Sequence, residues 1–368
     1  MSHALSERER LAWLRLARTQ NVGPVTFAQL IARFGSATAA LVEVPRLVRR
    51  GGGSAVIAAE SDAQREIDAL AKLGGRMIGS VEPDFPRGLA ALEAPPPMIS
   101  VIGHDALLTR EMIAIVGARN ASALGRKLTS RLASDLGAAG LVVVSGMARG
   151  IDTAAHEGSL ASGTCAVIAG GIDIVYPPEN AALYERIKAE GIIVSEMPLG
   201  QQPQARHFPR RNRVVSGLAR GVVVVEAAEG SGSLITANFA LEQNREIFAV
   251  PGSPLDPRAK GTNRLIRDGA VLTETADDVL GVLRPMLGGN FQEPGRDSGV
   301  VPPLEDLAEA EAERIRTVIE EALGPAPVAI DELIRLCRAS TAAVLTIILE
   351  MELAGRLARH PGNTVSWL

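Results

Sequence analysis

The sequence predicts an α/β protein: a parallel-sheet core flanked by a small helical domain on its N-terminal side and a winged helix on its C-terminal side. Three observations carry this expectation. Six apolar runs alternate with amphipathic helical stretches: MIAIV (112–116), LVVVS (141–145), TCAVIA (164–169), IIVS (192–195), GVVVVE (221–226) and EIFAV (246–250). Runs apolar on both faces belong to strands buried inside a parallel sheet. Before about residue 75 the pattern is helical only, and after an aperiodic Pro- and Gly-rich stretch at 285–304 a fresh set of helical patterns begins.

Taken in order, Leu11, Leu14, Leu16 and Ala17 form one apolar stripe, and Phe27, Leu30, Ile31 and Phe34 form another after Val22-Gly23-Pro24. Residues 1–74 therefore read as short packed helices. The glycine turn fits a helix-hairpin-helix, whose turn amides meet a phosphate, and equally an ordinary helical hairpin. Leu128, Leu132 and Leu136 recur every four residues and Gly137 and Gly140 stop that helix, completing a strand-helix-strand unit. The alternation continues through five units to residue 284, which makes 75–284 a doubly wound, Rossmann-like domain with ligands beyond the carboxyl ends of its strands. PMLGGNFQEPGRDSGVVPPL (285–304) reads as a flexible linker. In 305–368, helical stretches at 309–323, 330–337 and 340–354 precede RLARHPGNTVSWL, whose Pro361-Gly362-Asn363 turn suggests the hairpin of a winged helix.

Composition narrows the function. With 368 residues, 46% of them hydrophobic and 22% charged, the chain can build two or three cores and is neither disordered nor fibrous. Its first twenty residues carry charge throughout their apolar periodicity, unlike a signal peptide, and no run reaches the length of a membrane span. A cytoplasmic protein without membrane contact is the simplest reading. Cys165 and Cys337 are isolated, which gives neither metal spacing nor a disulfide framework. The net charge of -4 excludes a generally basic DNA coat, so any polyanion must be held by a local patch. One patch stands out: between Met197 and Val225 there are five arginines (206, 210, 211, 213 and 220) and no carboxylate.

The loops after the strands carry the candidate chemistry. Gly117-Ala118-Arg119-Asn120 follows the first run and precedes a helix, where backbone amides and a positive helix end meet a phosphate. Arg119 occupies the place of the second glycine of a dinucleotide fingerprint, and no P-loop motif exists, so no nucleotide cofactor is expected. Ser145, Gly146 and Arg149 lie in the next loop, and Asp152 and His156 share one face of the helix that follows. Ser145, His156 and Asp152 could form a nucleophile, base and orienter on paper. The alternative has Asp152 capping its helix and His156 bonding a backbone carbonyl or a neighbouring strand; the G-x-S-x-G elbow is absent. Tyr176-Pro177-Pro178-Glu179-Asn180 reads as a rigid turn with Asn180 available as a cap. Phe208 sits among Arg206, Arg210, Arg211 and Arg213, so a base can stack on it while arginines pair with phosphates, although the ring could instead tuck under the sheet as a helix-entry staple. Gly230-Ser231-Gly232-Ser233 after the fifth run lets backbone amides approach a further phosphate.

The strings IVGARN (115–120), SGMARGIDTAAHEGSL (145–160), YPPEN (176–180), SEMPLGQQPQARHFPRRNRVVSGLA (195–219), GSGSLITANFALEQNREIFAVPG (230–252) and GTNRLIRDGA (261–270) together resemble the bacterial DNA-processing protein A family, DprA/Smf. The resemblance implies a Rossmann-like core that binds single-stranded DNA, loads a RecA-type recombinase during natural transformation and homodimerises, with a sterile-alpha-motif-like (SAM-like) N-terminal domain and a winged helix in many members. Its DNA pocket would comprise Arg119, Ser145, Gly146, Arg149, Phe208, Arg211, Asn212 and Arg213 near Gly230–Ser233. Ala118 departs from the family's usual Ser or Thr, which removes one hydroxyl. The expected recognition helix STAAVLTIILEMEL (340–353) has no Arg, Lys, Asn or Gln and carries Glu350 and Glu352, so base readout is not expected of it and a protein-interaction or dimer-support role is. The rival reading is a nucleotide phosphoribohydrolase of the lysine-decarboxylase-like group, whose P-G-G-x-G-T-x-x-E loop corresponds to Glu229–Thr236. Thr236 stands where that loop has its glutamate, leaving Glu226 or Glu229 as a displaced acid.

Overall fold

A computed structural model describes residues 4–54, 56–287, 307–360 and 362–368. These fall into two compact units, one from the described part of 65–292 and the other from 5–64 together with the described part of 293–368.

The chain opens with helices α1 (Glu7–Arg18), α2 (Pro24–Phe34) and α3 (Ala37–Arg50), and α4 (Glu60–Lys72) leads into the sheet. Ser6 and Ser36 cap α1 and α3 by accepting from Glu9 N and Ala39 N, Pro24 starts α2 and Gly35 ends it at φ +75°. Trp13 meets Phe27 edge-on with ring centroids 4.9 Å apart, which ties the first two helices.

The first unit continues as β1 (Gly75–Gly79), α5 (Arg87–Ala90), β2 (Met98–Gly103), β3 (Met112–Val116), α6 (Ala123–Ala138), β4 (Val142–Ser145), α7 (Ile151–Ser159), β5 (Thr164–Val167), α8 (Ala181–Glu190) and β6 (Ile192–Ser195). It ends with α9 (His207–Leu218), β7 (Gly221–Val224), α10 (Gly232–Glu242), β8 (Glu246–Ala249), α11 (Lys260–Arg267), β9 (Val271–Leu272) and α12 (Ala276–Leu287). The nine strands form one sheet in the order β1-β2-β6-β5-β4-β3-β7-β8-β9. From β6 to β9 all pairings are parallel, while β2 runs antiparallel to both β6 and β1. All six apolar runs are strands of the parallel part. The sequence reading missed β1, β2 and β9, which occupy the two edges.

Alternation explains the two cores. Met112, Ala114 and Val116 of β3 enter one apolar cluster with Val142, Val144, Val222 and Val224, whereas Ile113 and Ile115 enter the opposite one with Val143, Val223 and Phe248. Both faces are thus covered. Of the two glycines expected to stop α6, Gly137 lies inside the helix, where a Cβ would come 1.9 Å from Ser162 Oγ, and Gly140, at φ +96°, follows its end at Ala138. The chain steps outward from β3 to β6 on one side and returns to β7 on the other, so the topological switch lies at the carboxyl ends of β3 and β7.

The second unit adds α13 (Glu309–Ala322), β10 (Val328–Ala329), α14 (Ile330–Cys337), α15 (Thr341–Leu353), β11 (Leu357–His360) and β12 (Thr364–Trp367), a winged helix with the antiparallel sheet β10-β12-β11. Gly362 and Asn363 take positive φ in its hairpin. Helix α15 is buried along almost its whole length, with Val344, Ile347, Ile348 and Met351 in the winged-helix core. Its remaining face is covered by the N-terminal helices. Asn21 Nδ2 donates to Leu353 O (3.1 Å), Arg33 donates to Thr346 Oγ1 (3.2 Å), and a Cβ on Gly51 would meet Glu350 O at 2.0 Å. Glu350, only 2% exposed, faces Arg50 at 3.8 Å and Arg316 at 3.5 Å. The two helical ends of the chain are therefore one packed body. Of the expected linker 285–304, Pro285, Met286 and Leu287 finish α12, and 288–304 lie outside the described residues. Among the described residues no single helix is long and apolar enough to cross a membrane.

Candidate nucleic-acid interface

The loops at the carboxyl ends of β3, β4, β7 and β8, with the start of α9, enclose a groove of about 670 Å³ lined by Gly117, Arg119, Phe208, Gly230 to Ser233 and Ile235. A smaller recess of about 210 Å³ opens from it, sharing Arg119, Phe208 and Arg211 and adding Arg149 and Tyr176 to Glu179. Helical spacing decides what α9 contributes. Phe208, Arg211 and Asn212, at i, i+3 and i+4, face the groove; Arg210 and Arg213 point elsewhere.

Phe208 is not tucked under the sheet. The Arg119 guanidinium lies 5.2 Å from the centroid of its ring, and Tyr176 lies on it at a centroid distance of 5.9 Å and an interplanar angle of 57°. Tyr176 is 46% exposed. A cation and two rings thus form a line of flat surfaces open to solvent. The residue that sequence reasoning missed is Tyr176, taken there as part of a rigid turn. Its signal was available, since it follows a parallel strand at the ligand-bearing edge. On the far wall Gly230, at φ +76°, turns the chain into α10, Ser231 caps that helix by accepting from Ser233 N (3.3 Å), and the hydroxyls of Ser231 and Ser233 are 2.7 Å apart.

Behind these surfaces lies a buried support. Arg211, 7% exposed, faces the Asp152 carboxylate at 3.7 Å, and the same carboxylate accepts from Gly146 N and Ala148 N at 3.2 Å. Burial pushes the Asp152 carboxyl upward, opposed by Arg211 and the two amides, and pushes the Arg211 guanidinium downward. Gly146 is glycine for space: a Cβ there would fall 1.0 Å from Arg211 Nη1. Asn212 donates to Gly232 O (3.2 Å), anchoring the glycine-serine turn, and Asn180 donates to Met147 O (2.8 Å) instead of capping α8.

Several expected site residues therefore take other places. Ser145 is fully buried and donates to Ile115 O (2.7 Å), so its hydroxyl faces the sheet, whereas Gly146, beside Arg211, lines the smaller recess. Arg210 donates to Glu196 (3.0 Å), and Arg213 donates to Ala94 O with Glu196 at 3.9 Å; neither lines the groove. Glu196 lies one residue outside the carboxylate-free stretch that drew attention to the cluster, and Arg220 pairs with Glu111. The expected alternative for His156 holds: its Nδ1 meets Thr164 Oγ1 of the neighbouring strand β5 at 2.7 Å. Since Thr164 donates its own proton to Val143 O, His156 Nδ1 must donate, and burial pushes the imidazole down to about 3. Glu226 is likewise engaged, accepting from Ser122 N (3.0 Å) and Oγ (2.6 Å). Among the described residues no group of His, Cys, Asp and Glu could hold a metal ion. Cys165 and Cys337 are free and buried.

Fold and groove define a Rossmann-like α/β protein whose ligand edge offers a guanidinium, one exposed and one half-buried ring and a serine-capped helix start in place of a dinucleotide loop. Residues 76–284 match the family model described as DNA recombination-mediator protein A, 7–69 that of the DprA-like N-terminal HHH domain and 302–363 that of the DprA winged helix domain. The chain belongs to this DNA recombination-mediator protein A family, DprA/Smf. It is 31% identical over 399 positions to protein Smf of Synechocystis sp., covering 97% of this chain and 98% of that one. It is 43% identical over 218 positions to the DNA processing protein DprA of Bacillus subtilis, covering 58% and 73%. The X-ray structure of DprA from Streptococcus pneumoniae superposes with a TM-score of 0.57 at 37% identity over 61% of this chain and 77% of that one. The structure describing a single-stranded DNA binding mode of DNA processing protein A from Helicobacter pylori gives 0.53 at 28% identity over 58% and 96%.

Proposed function

We propose that this chain holds single-stranded DNA in the groove at the β3/β7 switch and delivers it to a RecA-type recombinase during DNA uptake. The observation that carries the reading is the Arg119–Phe208–Tyr176 line. Rings and a guanidinium plane stack on any unpaired base, whereas a duplex keeps its base faces covered. Arg119 and Arg149 take backbone phosphates. Arg149 is held only by an exposed contact to Glu179 at 3.6 Å, which a phosphate displaces at little cost. The turn Gly230–Ser233 approaches a further phosphate, while Arg211, Asn212, Gly146 and Ser145 position these groups from behind. The recombinase and self-association through the parallel-sheet core rest on the family resemblance, and a cytoplasmic setting on the charged N-terminal sequence and the lack of a membrane-length apolar run. With Thr236 buried in place of a catalytic glutamate and Glu226 bound to Ser122, the groove favours holding a strand over hydrolysing nucleotides.

A titration of single-stranded against duplex DNA at rising salt tests this, with a recombinase-loading assay alongside. The single strand should bind tighter, with a log-log salt slope of roughly -0.7 per phosphate contact, and Arg119→Ala should remove about one contact from that slope. Equal affinity for both forms, or a flat salt dependence, sinks the reading. Release of free base from nucleotides would restore the hydrolase.

A further inference from the structure

A second groove, of about 480 Å³, lies beside the first and shares its Asp256–Arg258 lip. Its floor is apolar, made by Leu128, Val225, Val250 and Pro251. Its outer wall is one stripe of α6: Leu124, Lys127, Leu128 and Arg131, at i, i+3, i+4 and i+7. Apolar and cationic side chains thus alternate along it. Leu124 is 80% exposed, and a lone exposed leucine would mean nothing, yet here it stands at the mouth of a groove between cations.

Resting on the single-strand reading of the first groove, we propose that the bound strand crosses the Asp256–Arg258 lip and continues along α6. One base lies over Leu124 and the apolar floor, and backbone phosphates meet Lys127 and Arg131. The carboxylates nearby leave room for this. Asp256 accepts from Nε and Nη2 of Arg258 (3.0 and 2.9 Å) and from its amide (2.9 Å), and Glu226 accepts from Ser122. Asp135 sits 3.6 Å from Arg131 in an exposed contact that a phosphate can replace.

Glu226 also decides what kind of ligand this groove takes. Its carboxylate fills the N-terminal end of α6, where a dinucleotide's pyrophosphate would sit in a Rossmann fold, and a Cβ on Gly125 would lie 2.6 Å from it. A phosphate entering here cannot reach the helix amides and is left with Lys127 and Arg131 farther along. That suits a chain passing through better than a nucleotide terminating there. An acidic peptide could use the same cations, but only a strand already lying in the first groove explains the shared lip.

The experiment compares full-length wild type, Lys127→Glu/Arg131→Glu, Leu124→Ser and Phe208→Ala on oligothymidylates of about 5 and about 20 nucleotides. The charge-reversed and Leu124 variants should bind the short oligonucleotide like wild type and lose about tenfold or more on the long one, with the salt slope on the long one reduced by about 1.4 for two contacts. Phe208→Ala should weaken both lengths. If the α6 variants leave both lengths unaffected, or weaken both alike, while Phe208→Ala acts, the continuation is wrong. The same holds if they keep DNA affinity but lose recombinase loading, which would assign the groove to an acidic protein surface. If Phe208→Ala changes neither length, the first-groove reading fails and the continuation with it. Lys127, Arg131 and Leu124 are exposed, so unchanged thermal unfolding is expected in all α6 variants.

Discussion

Replacing Phe208 by alanine separates binding from folding because the ring is only half-buried at the groove wall. In the folded chain the substitution removes an aromatic pair at 5.9 Å and a cation–π contact at 5.2 Å. Such contacts contribute about 0.5–1.5 and about 0.5–1 kcal/mol respectively. Stability should therefore fall by roughly 1–2.5 kcal/mol, below the about 3–5 kcal/mol of emptying a fully buried phenylalanine site. Binding should fall further in consequence: each base that loses its stacking platform costs about 1–3 kcal/mol, or about 5- to 150-fold in Kd. Fluorescence anisotropy with a labelled oligothymidylate at fixed salt measures the second quantity, and urea denaturation the first. Phe208→Leu keeps most of the apolar volume, so it should recover stability and leave affinity low. Phe208→Tyr should keep both. Unchanged affinity in Phe208→Ala, or full affinity in Phe208→Leu, would show that the ring packs the groove wall and does not stack on a base.

Three further perturbations probe the supports. Gly146→Ala places a methyl on Arg211 Nη1 and drives the guanidinium from Asp152, so urea unfolding should lose about 3–5 kcal/mol, the cost of leaving a buried charge unpaired; an unmoved midpoint contradicts the packing. His156 is held neutral with its folded value pushed down to about 3 against an ordinary 6.5, so the unfolded chain takes up a proton that the folded chain refuses. Its contribution is complete above about pH 6.5 and drains by up to about 1.4 kcal/mol per unit as pH falls toward 3; denaturation midpoints at about pH 7, 6 and 5 should show that slope flattened in His156→Gln, and parallel curves would refute it. Glu350→Ala removes the carboxylate that Arg50 and Arg316 face, and amide hydrogen exchange should then quicken in both α3 and α15; loosening of α15 alone would mean that Glu350 does not hold the two together.

Most of the sheet could be read from the chain because a strand buried on both faces has little choice of residues: β3, β4, β6 and β7 are almost wholly Val, Ile and Ala. The edge strand β1 begins and ends in glycine and β9 has two residues, so they carry little of that signature, whereas β2, MISVIG, carries it on its own outside the strand-helix alternation. In the site, Arg119, Phe208 and the Gly230–Ser233 turn could be found from their positions after strands. The arginine cluster misled because neighbours in sequence diverge around a helix, which sends Arg210 and Arg213 to Glu196 while Arg211 turns inward. That Arg211 is a support could not be read locally, since its partner Asp152 belongs to a different strand-helix unit. Helix α15 is the opposite case. TAAVLTIILEMEL is apolar around most of its circumference, and such a helix must be covered on nearly every side. The lack of base-reading side chains was noticed in it, but the burial that the same composition demands was not drawn out, and α3 supplies the cover.

The division between supports and surfaces bears on specificity. What is fixed by buried bonds, namely Asp152 on the Ser145–Ala148 loop, Asn212 on Gly232 and Asn180 on Met147, never faces the groove as a donor array shaped to one base edge. The groups most open to a strand in the groove and its recess are flat or cationic, Tyr176, Phe208, Arg119 and Arg149, with the paired hydroxyls of Ser231 and Ser233 on the far wall. Flat faces accept any base and arginines accept any phosphate, so neither carries sequence information. Helix α15, the expected recognition helix, is enclosed between its own core and α3. Discrimination must then come from the state of the strand. A paired base has no free face to offer Phe208, and unstacking it costs a few kcal/mol, comparable to what one stacking platform returns.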